Sequence, residues 1–125
     1  MCGTGEGYRR RSLVNQGLRT VIYPVGDLAN AKALFGKLLG VEPYADEAYY
    51  VGFRLGDQEV GLDPNGHKHG MTGYWHVDDI RADLQALIEA GAVVLEDVRD
   101  VGGGRLIAAV KDADGNIVGL LQPSS

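Results

Sequence analysis

Residues 19–25, RTVIYPV, are β-branched and aromatic and alternate between two faces, a pattern that predicts a strand. Gly26-Asp27 breaks it, and Asp27 is placed to cap a helix. Leu28, Ala31, Leu34, Phe35 and Leu38 then recur at helical spacing. Gly40 is positioned to end that helix, and Pro43 opposes its continuation. Extended segments follow at 42–45, 49–55 and 58–63, with Gly56-Asp57 as a tight turn between the last two.

Residues 64–70, PNGHKHG, are polar and rich in turn formers, which suits a short connection. The pattern then restarts. Residues 71–77 read as a strand and Asp78-Asp79 as a helix start. Ile80, Leu84, Leu87 and Ile88 form an apolar helix face closed by Gly91. Strands fit 92–98, 105–111 and 117–122, the last two joined by the turn Asp112-Ala113-Asp114-Gly115-Asn116.

The restart is an internal repeat in register. Thr20 corresponds to Thr72, Val25 to Val77, Asp27 to Asp79, Leu28 to Ile80 and Phe35 to Leu87, while Val60-Gly61-Leu62 corresponds to Val118-Gly119-Leu120. The second half is longer, and the glycine-rich stretch 101–104 accommodates the extra residues. Each half alone would expose one apolar sheet face, so two βαβββ copies are the expected minimum. The expected fold class is α+β, with tandem modules at about 18–64 and 71–123. Residues 1–17 read as a flexible tail.

Composition narrows the function classes. The 125 residues suit one domain, and 45% apolar with 23% charged residues is ordinary for a globular chain. No apolar run approaches a membrane span. The net charge is −5, but residues 1–12 hold Arg9, Arg10 and Arg11 against Glu6, leaving −7 on the remainder. An acidic body argues against nucleic acid as partner and fits a cationic small molecule. The lone Cys2 can form no intramolecular disulfide, and no secretory signal precedes the first strand, so a cytoplasmic location is expected. Gly3, Gly5 and Gly7 lack the preceding strand that a phosphate loop needs.

The segment TVIYPVGDLANAKALFGKLLG resembles the opening signature of the glyoxalase, bleomycin-resistance and extradiol-dioxygenase superfamily, also called the vicinal-oxygen-chelate superfamily. The ending KDADGNIVGLLQP resembles its usual turn and final strand. The resemblance covers residues 18–123 and implies a curved mixed sheet, a cup with helices on its outer face, built from two βαβββ modules. Active members hold a divalent metal with His, Gln or Glu side chains on the first and last strands of each module. By that resemblance the four ligand positions here are Thr20, Gly61, Thr72 and Gly119. Hydroxyls are poor ligands for such ions and glycine has no side chain, so neither a metal nor another cofactor is expected.

Strand alternation then places Thr20, Ile22, Tyr50, Gly52, Arg54, Glu59, Gly61, Asp63, Thr72, Tyr74, His76, Ile117, Gly119 and Leu121 along the cup. All of these except Gly52 and Ile117 are the candidate ligand-binding residues. The expected cavity is roomy and half apolar, with a few polar handles. Glu59 and Asp63 would attract a cation, Arg54 would neutralise one of them, and His76 is the single candidate acid–base residue. Trp75 is expected in the core. His67 and His69 flank Lys68 in the connection, spaced to share a metal with Asp63, but a loop pair with a lysine between supplies too few fixed ligands, so incidental exposure is expected.

The reading that follows is a non-catalytic protein that captures a cationic or aromatic small molecule, similar to the superfamily's antibiotic-sequestering members, with a homodimer implied by the same resemblance. The alternatives are a metal-dependent lyase, isomerase or dioxygenase with displaced ligands (His67, His69, His76, Glu59 or Asp63), and an interaction module with no small ligand.

Overall fold

The computed structural model describes residues 15–65 and 70–124. In chain order the elements are β1 (Asn15–Pro24), α1 (Leu28–Leu39), β2 (Ala45–Glu47), β3 (Tyr50–Leu55), β4 (Gln58–Asp63), β5 (Thr72–Val77), α2 (Ile80–Glu89), β6 (Val93–Asp100), β7 (Leu106–Lys111) and β8 (Ile117–Gln122). This is an α+β chain with the βαβββ pattern twice. The expectations for Cys2, the early glycines, the arginine run, His67 and His69 fall outside the described residues. Among those described, no helix is long and apolar enough to cross a membrane.

The described chain clusters into two compact units, one spanning Leu18–Tyr74 and the other carrying Trp75 onward with the residues before Leu18. In the first, the strand order is β2-β3-β4-β1. β1 runs parallel to β4, while β3 is antiparallel to both β4 and β2. A parallel neighbour needs a crossover, and α1 belongs to it. The boundary falls within β5, and in the second unit the order from the rest of that strand is β5-β8-β7-β6, with β7 antiparallel to β8 and to β6.

Capping follows the sequence expectation. The Asp27 side chain accepts from Asn30 N at 3.0 Å, and Asp79 accepts from Ala82 N at 3.1 Å. Each satisfies one of the backbone donors that a helix start leaves without a partner. Gly40 ends α1 in the left-handed region at φ 70°, with its N–H donating to Gly36 O. At the end of α2 the cap is Ala90, and Gly91 follows.

Each unit has its own core. Ala31, Val51, Phe53 and Leu62 are buried together in the first, with Leu28, Phe35 and Leu39 of α1 packed against them. Tyr23 and Phe35 meet there as tilted rings 4.9 Å apart. Val77, Ile80, Leu84, Ala108, Val110 and Leu120 form the second core.

Several details differ from the pattern. β1 begins at Asn15, so residues 15–17 are strand rather than tail. β2 lies at Ala45–Glu47, later than the expected 42–45, because the ladder with β3 begins at the pairing of Ala45 with Gly52. Pro43, just before it, has no N–H to donate. Leu34 and Leu38 are 64% and 72% exposed. The buried stripe of α1 runs through Ala31 and Phe35 to Leu39, leaving Leu34 and Leu38 on a neighbouring stripe. Trp75, expected in the core, keeps 39% of its surface exposed.

Candidate functional site

The sequence-predicted residues of the first module share one sheet face because register and pleat combine. Thr20 on β1 pairs with Glu59 on β4, and Glu59 pairs with Arg54 on β3. Two residues along, Ile22 pairs with Gly61, Gly61 with Gly52, and Gly52 with Ala45 on β2. Side chains two apart on a strand point the same way, so both rows face the same side.

Glu59 is the centre of the first row and is buried. Thr20 Oγ1 donates to its Oε1 at 3.0 Å. Tyr44 Oη donates to its Oε2, and Arg54 Nη2 stands 3.5 Å from the same oxygen. The Arg54 guanidinium also lies over the Tyr44 ring, 4.1 Å from its centroid. A carboxylate removed from water needs such partners, and here both oxygens have them.

The second row explains why two glycines lie side by side. A Cβ on Gly52 would stand 2.7 Å from Cε2 and Cζ of Tyr44. On Gly61 it would stand 2.6 Å from Ile22 Cδ1 and 2.8 Å from Tyr50 Cε1, with Tyr50 Oη closer still. Side-chain atoms do not approach that closely. The missing Cβ atoms at 52 and 61 therefore make room for the rings of Tyr44 and Tyr50. The cavity expected above Gly61 is not roomy in this module, because these rings and Ile22 take up the space.

Tyr44 was not anticipated from the sequence. It lies just before β2, in a segment whose pattern gave no facing direction, although its N–H already donates to Gly52 O at 2.8 Å. The available signal was indirect: two glycines on strands that share a hairpin imply a bulky group covering both.

The other predicted residues divide by unit. Asp63 faces the same side as Gly61, but its Oδ1 accepts from Asn65 N at 2.7 Å and so fixes the turn after β4. Glu59 is paired with Arg54, and Asp63 gives one of its two oxygens to the turn. Thr72 and Tyr74 are buried on β5. Thr72 Oγ1 has no hydrogen-bond partner among the described residues. His76, Gly119 and Leu121 belong to the second unit. His76 is half-buried, Gly119 pairs with Ala109, and Leu121 pairs with Ile107. Among the described residues, no three His, Cys, Asp or Glu side chains gather closely enough to hold a metal ion.

The profile of the glyoxalase/bleomycin resistance protein/dioxygenase superfamily matches residues 17–120. The chain belongs to this superfamily. Its solved relatives agree on the fold. Methylmalonyl-CoA epimerase from Mycobacterium tuberculosis superposes with a TM-score of 0.73 at 21% identity, covering 100% of this chain and 94% of the epimerase. A glyoxalase/bleomycin resistance protein/dioxygenase superfamily member from Vibrio splendidus 12B01 gives 0.67 at 21% identity, covering 85% of this chain and 98% of the other. The Mn(II)-bound glyoxalase from Novosphingobium aromaticivorans gives 0.65 at 22% identity, covering 87% of this chain and 39% of that larger one. No curated protein sequence matches significantly. At these identities superfamily likeness fixes the architecture and leaves the chemistry to the site residues.

Proposed function

We propose that this protein captures a small aromatic molecule without covalent chemistry and without a catalytic metal, in the manner of the superfamily's antibiotic-sequestering members. The observation that carries the reading is the crowding at Gly61. Where the superfamily would place a metal-ligating side chain, Tyr50 and Ile22 already occupy the position a Cβ would need. The remaining donors fit a divalent ion no better. Thr20 spends its hydroxyl proton on Glu59, and the nearest carboxylate, Glu59 itself, carries the Arg54 cation beside it. A second cation there would meet like-charge repulsion.

Two features favour a ligand. Tyr44 and Arg54 are exposed enough to offer an aromatic edge and a planar cation to an incoming ring. Thr72 Oγ1 is buried without a hydrogen-bond partner among the described residues, an arrangement that costs about 1–3 kcal/mol and that a polar group on a ligand would offset. A homodimer and a cytoplasmic setting complete the proposal, and sedimentation of the purified chain tests the first of these.

The deciding experiment combines metal analysis with thermal melting. Dialysed protein is expected to hold no stoichiometric divalent ion, and at least one member of a panel of aromatic and cationic antibiotics should raise its Tm in a concentration-dependent way. A tightly held ion lost on mutating His76 or Glu59, or a panel with no stabilising member, would overturn the reading.

One contact favours catalysis as a second reading. Tyr44 and Glu59 form a phenol–carboxylate pair of the kind that can pass a proton to or from a bound substrate. Such an activity, metal-free or using displaced ligands, would place the protein among the superfamily's isomerases, lyases or dioxygenases. Turnover abolished by Tyr44→Phe with ligand affinity retained would establish it over simple capture.

A further inference from the structure

We propose that Arg54 is the anion anchor of this face, so that the ligand is a planar aromatic molecule bearing a carboxylate, held by the guanidinium while its ring lies along Tyr44. The inference rests on the ligand-binding reading above and adds the charge of the ligand to it.

The argument begins with which charge is inside. The Glu59 side chain is 7% exposed and that of Arg54 57% exposed, so the negative member of the pair is beneath the surface and the positive member is on it. Two other acids share this face, Asp63, whose Oδ1 accepts from Asn65 N, and the exposed Glu47, which pairs with Tyr50, and each lies four strand positions from the Arg54–Glu59 row. A molecule approaching the Arg54–Tyr44 end of this face meets the guanidinium before the carboxylate beneath it, although the chain as a whole is acidic.

Arg54 is also held in place. Its guanidinium lies on Tyr44, and Tyr44 is in turn fixed by its contact with Glu59 and by the absence of a Cβ at Gly52. Thr20 holds the other carboxylate oxygen. A guanidinium whose orientation is set in advance loses less freedom when it binds, and its flat fork matches a carboxylate in two parallel hydrogen bonds. Among the described residues the ion pair engages only Nη2, leaving other N–H donors of the fork for a ligand. A structural counter-ion to Glu59 needs no such arrangement on an open face. An anchor does.

The test uses the full chain and three probes of one shape: 2-naphthoate, 2-naphthalenemethanol and 2-naphthylmethylammonium, titrated by calorimetry at one ionic strength. Naphthoate should bind about tenfold more tightly than the alcohol, as expected for a charge-assisted hydrogen bond, with the ammonium weakest. It should also move the Arg54 side-chain Nε–H resonance, a readout that needs no variant. Arg54→Gln alone would leave Glu59 without its counter-ion and could unfold the chain, so the deciding variant is Arg54→Gln with Glu59→Gln. This variant should bind naphthoate and the alcohol within about twofold of each other. Tightest binding by the ammonium, or a naphthoate preference that survives the double substitution, would overturn the anion anchor while leaving small-molecule capture standing. Failure of all three probes would remove both.

Discussion

Tyr50 stands over Gly61, its Cε1 only 2.8 Å from the point that a Cβ at position 61 would occupy. The two positions are therefore coupled, and a side chain can be added at one only by giving way at the other. Gly61→Ala should destabilise the protein by about 1–3 kcal/mol, the usual cost of overpacking, as read from urea denaturation. Tyr50→Ala in the same chain should return part of that loss. Strict additivity of the two substitutions would show that the ring does not press on this position.

Arg54 and Glu59 are coupled through charge. Removing the cation leaves a carboxylate beneath the surface, so Arg54→Ala should cost about 2 kcal/mol, less than for a fully buried pair because solvent reaches the guanidinium. Adding Glu59→Gln removes the stranded charge and should recover most of the loss. Equal destabilisation of the single and double variants in chemical denaturation would contradict the pairing.

Which parts of this arrangement were legible in the sequence follows from the range of the interactions involved. The caps at Asp27 and Asp79 depend on residues three positions away and were readable locally, as was Gly40 at the helix end. The repeat from Thr20 to Thr72 gave the α+β architecture because it aligns whole elements. The face shared by Thr20, Ile22, Glu59 and Gly61 follows from pleat alternation alone. The filling of that face does not. Whether a tyrosine covers a glycine depends on rotamer and on pairing between strands distant in sequence, which is why Tyr44 was missed and the space above Gly61 was expected to be open. The sequence offers Arg54 as a counter-ion to Glu59 or Asp63, and that it meets Glu59 follows from the β3–β4 register.

Helix α1 tests the same distinction energetically. Leu38 belongs to the helical apolar pattern but is 72% exposed, whereas Phe53 on β3 is fully buried in the core beneath that helix. Phe53→Ala should cost about 3–5 kcal/mol, and Leu38→Ala should stay within about 0.5 kcal/mol. A large loss from Leu38→Ala in a monomeric preparation would place that side chain in a contact this fold does not give it. A loss that appears only as concentration rises would assign the contact to a second copy of the chain.

The turn before β8 carries a pH dependence whose sign is fixed by geometry. Asp112 Oδ1 accepts from the backbone N–H groups of Asp114 and Asn116 at 2.9 and 2.8 Å, and Oδ2 accepts from Asn116 Nδ2 at 2.9 Å. The Asn116 side chain, then backbone donors led by that of Asn116, favour the ionised form and hold this carboxyl below its ordinary value of 3.8. Because the folded value lies below the unfolded one, the stabilisation is present above the unfolded value and is lost as pH falls through the folded value. A carbon-detected NMR titration of the Asp112 carboxyl should show a midpoint below 3.8. Asp112→Asn should flatten the acid limb of the stability curve and leave its neutral plateau lower. Asn116→Ala, which removes the largest single cause, should bring the Asp112 midpoint back toward the ordinary value, and an unchanged midpoint would mean that the backbone donors alone hold it down.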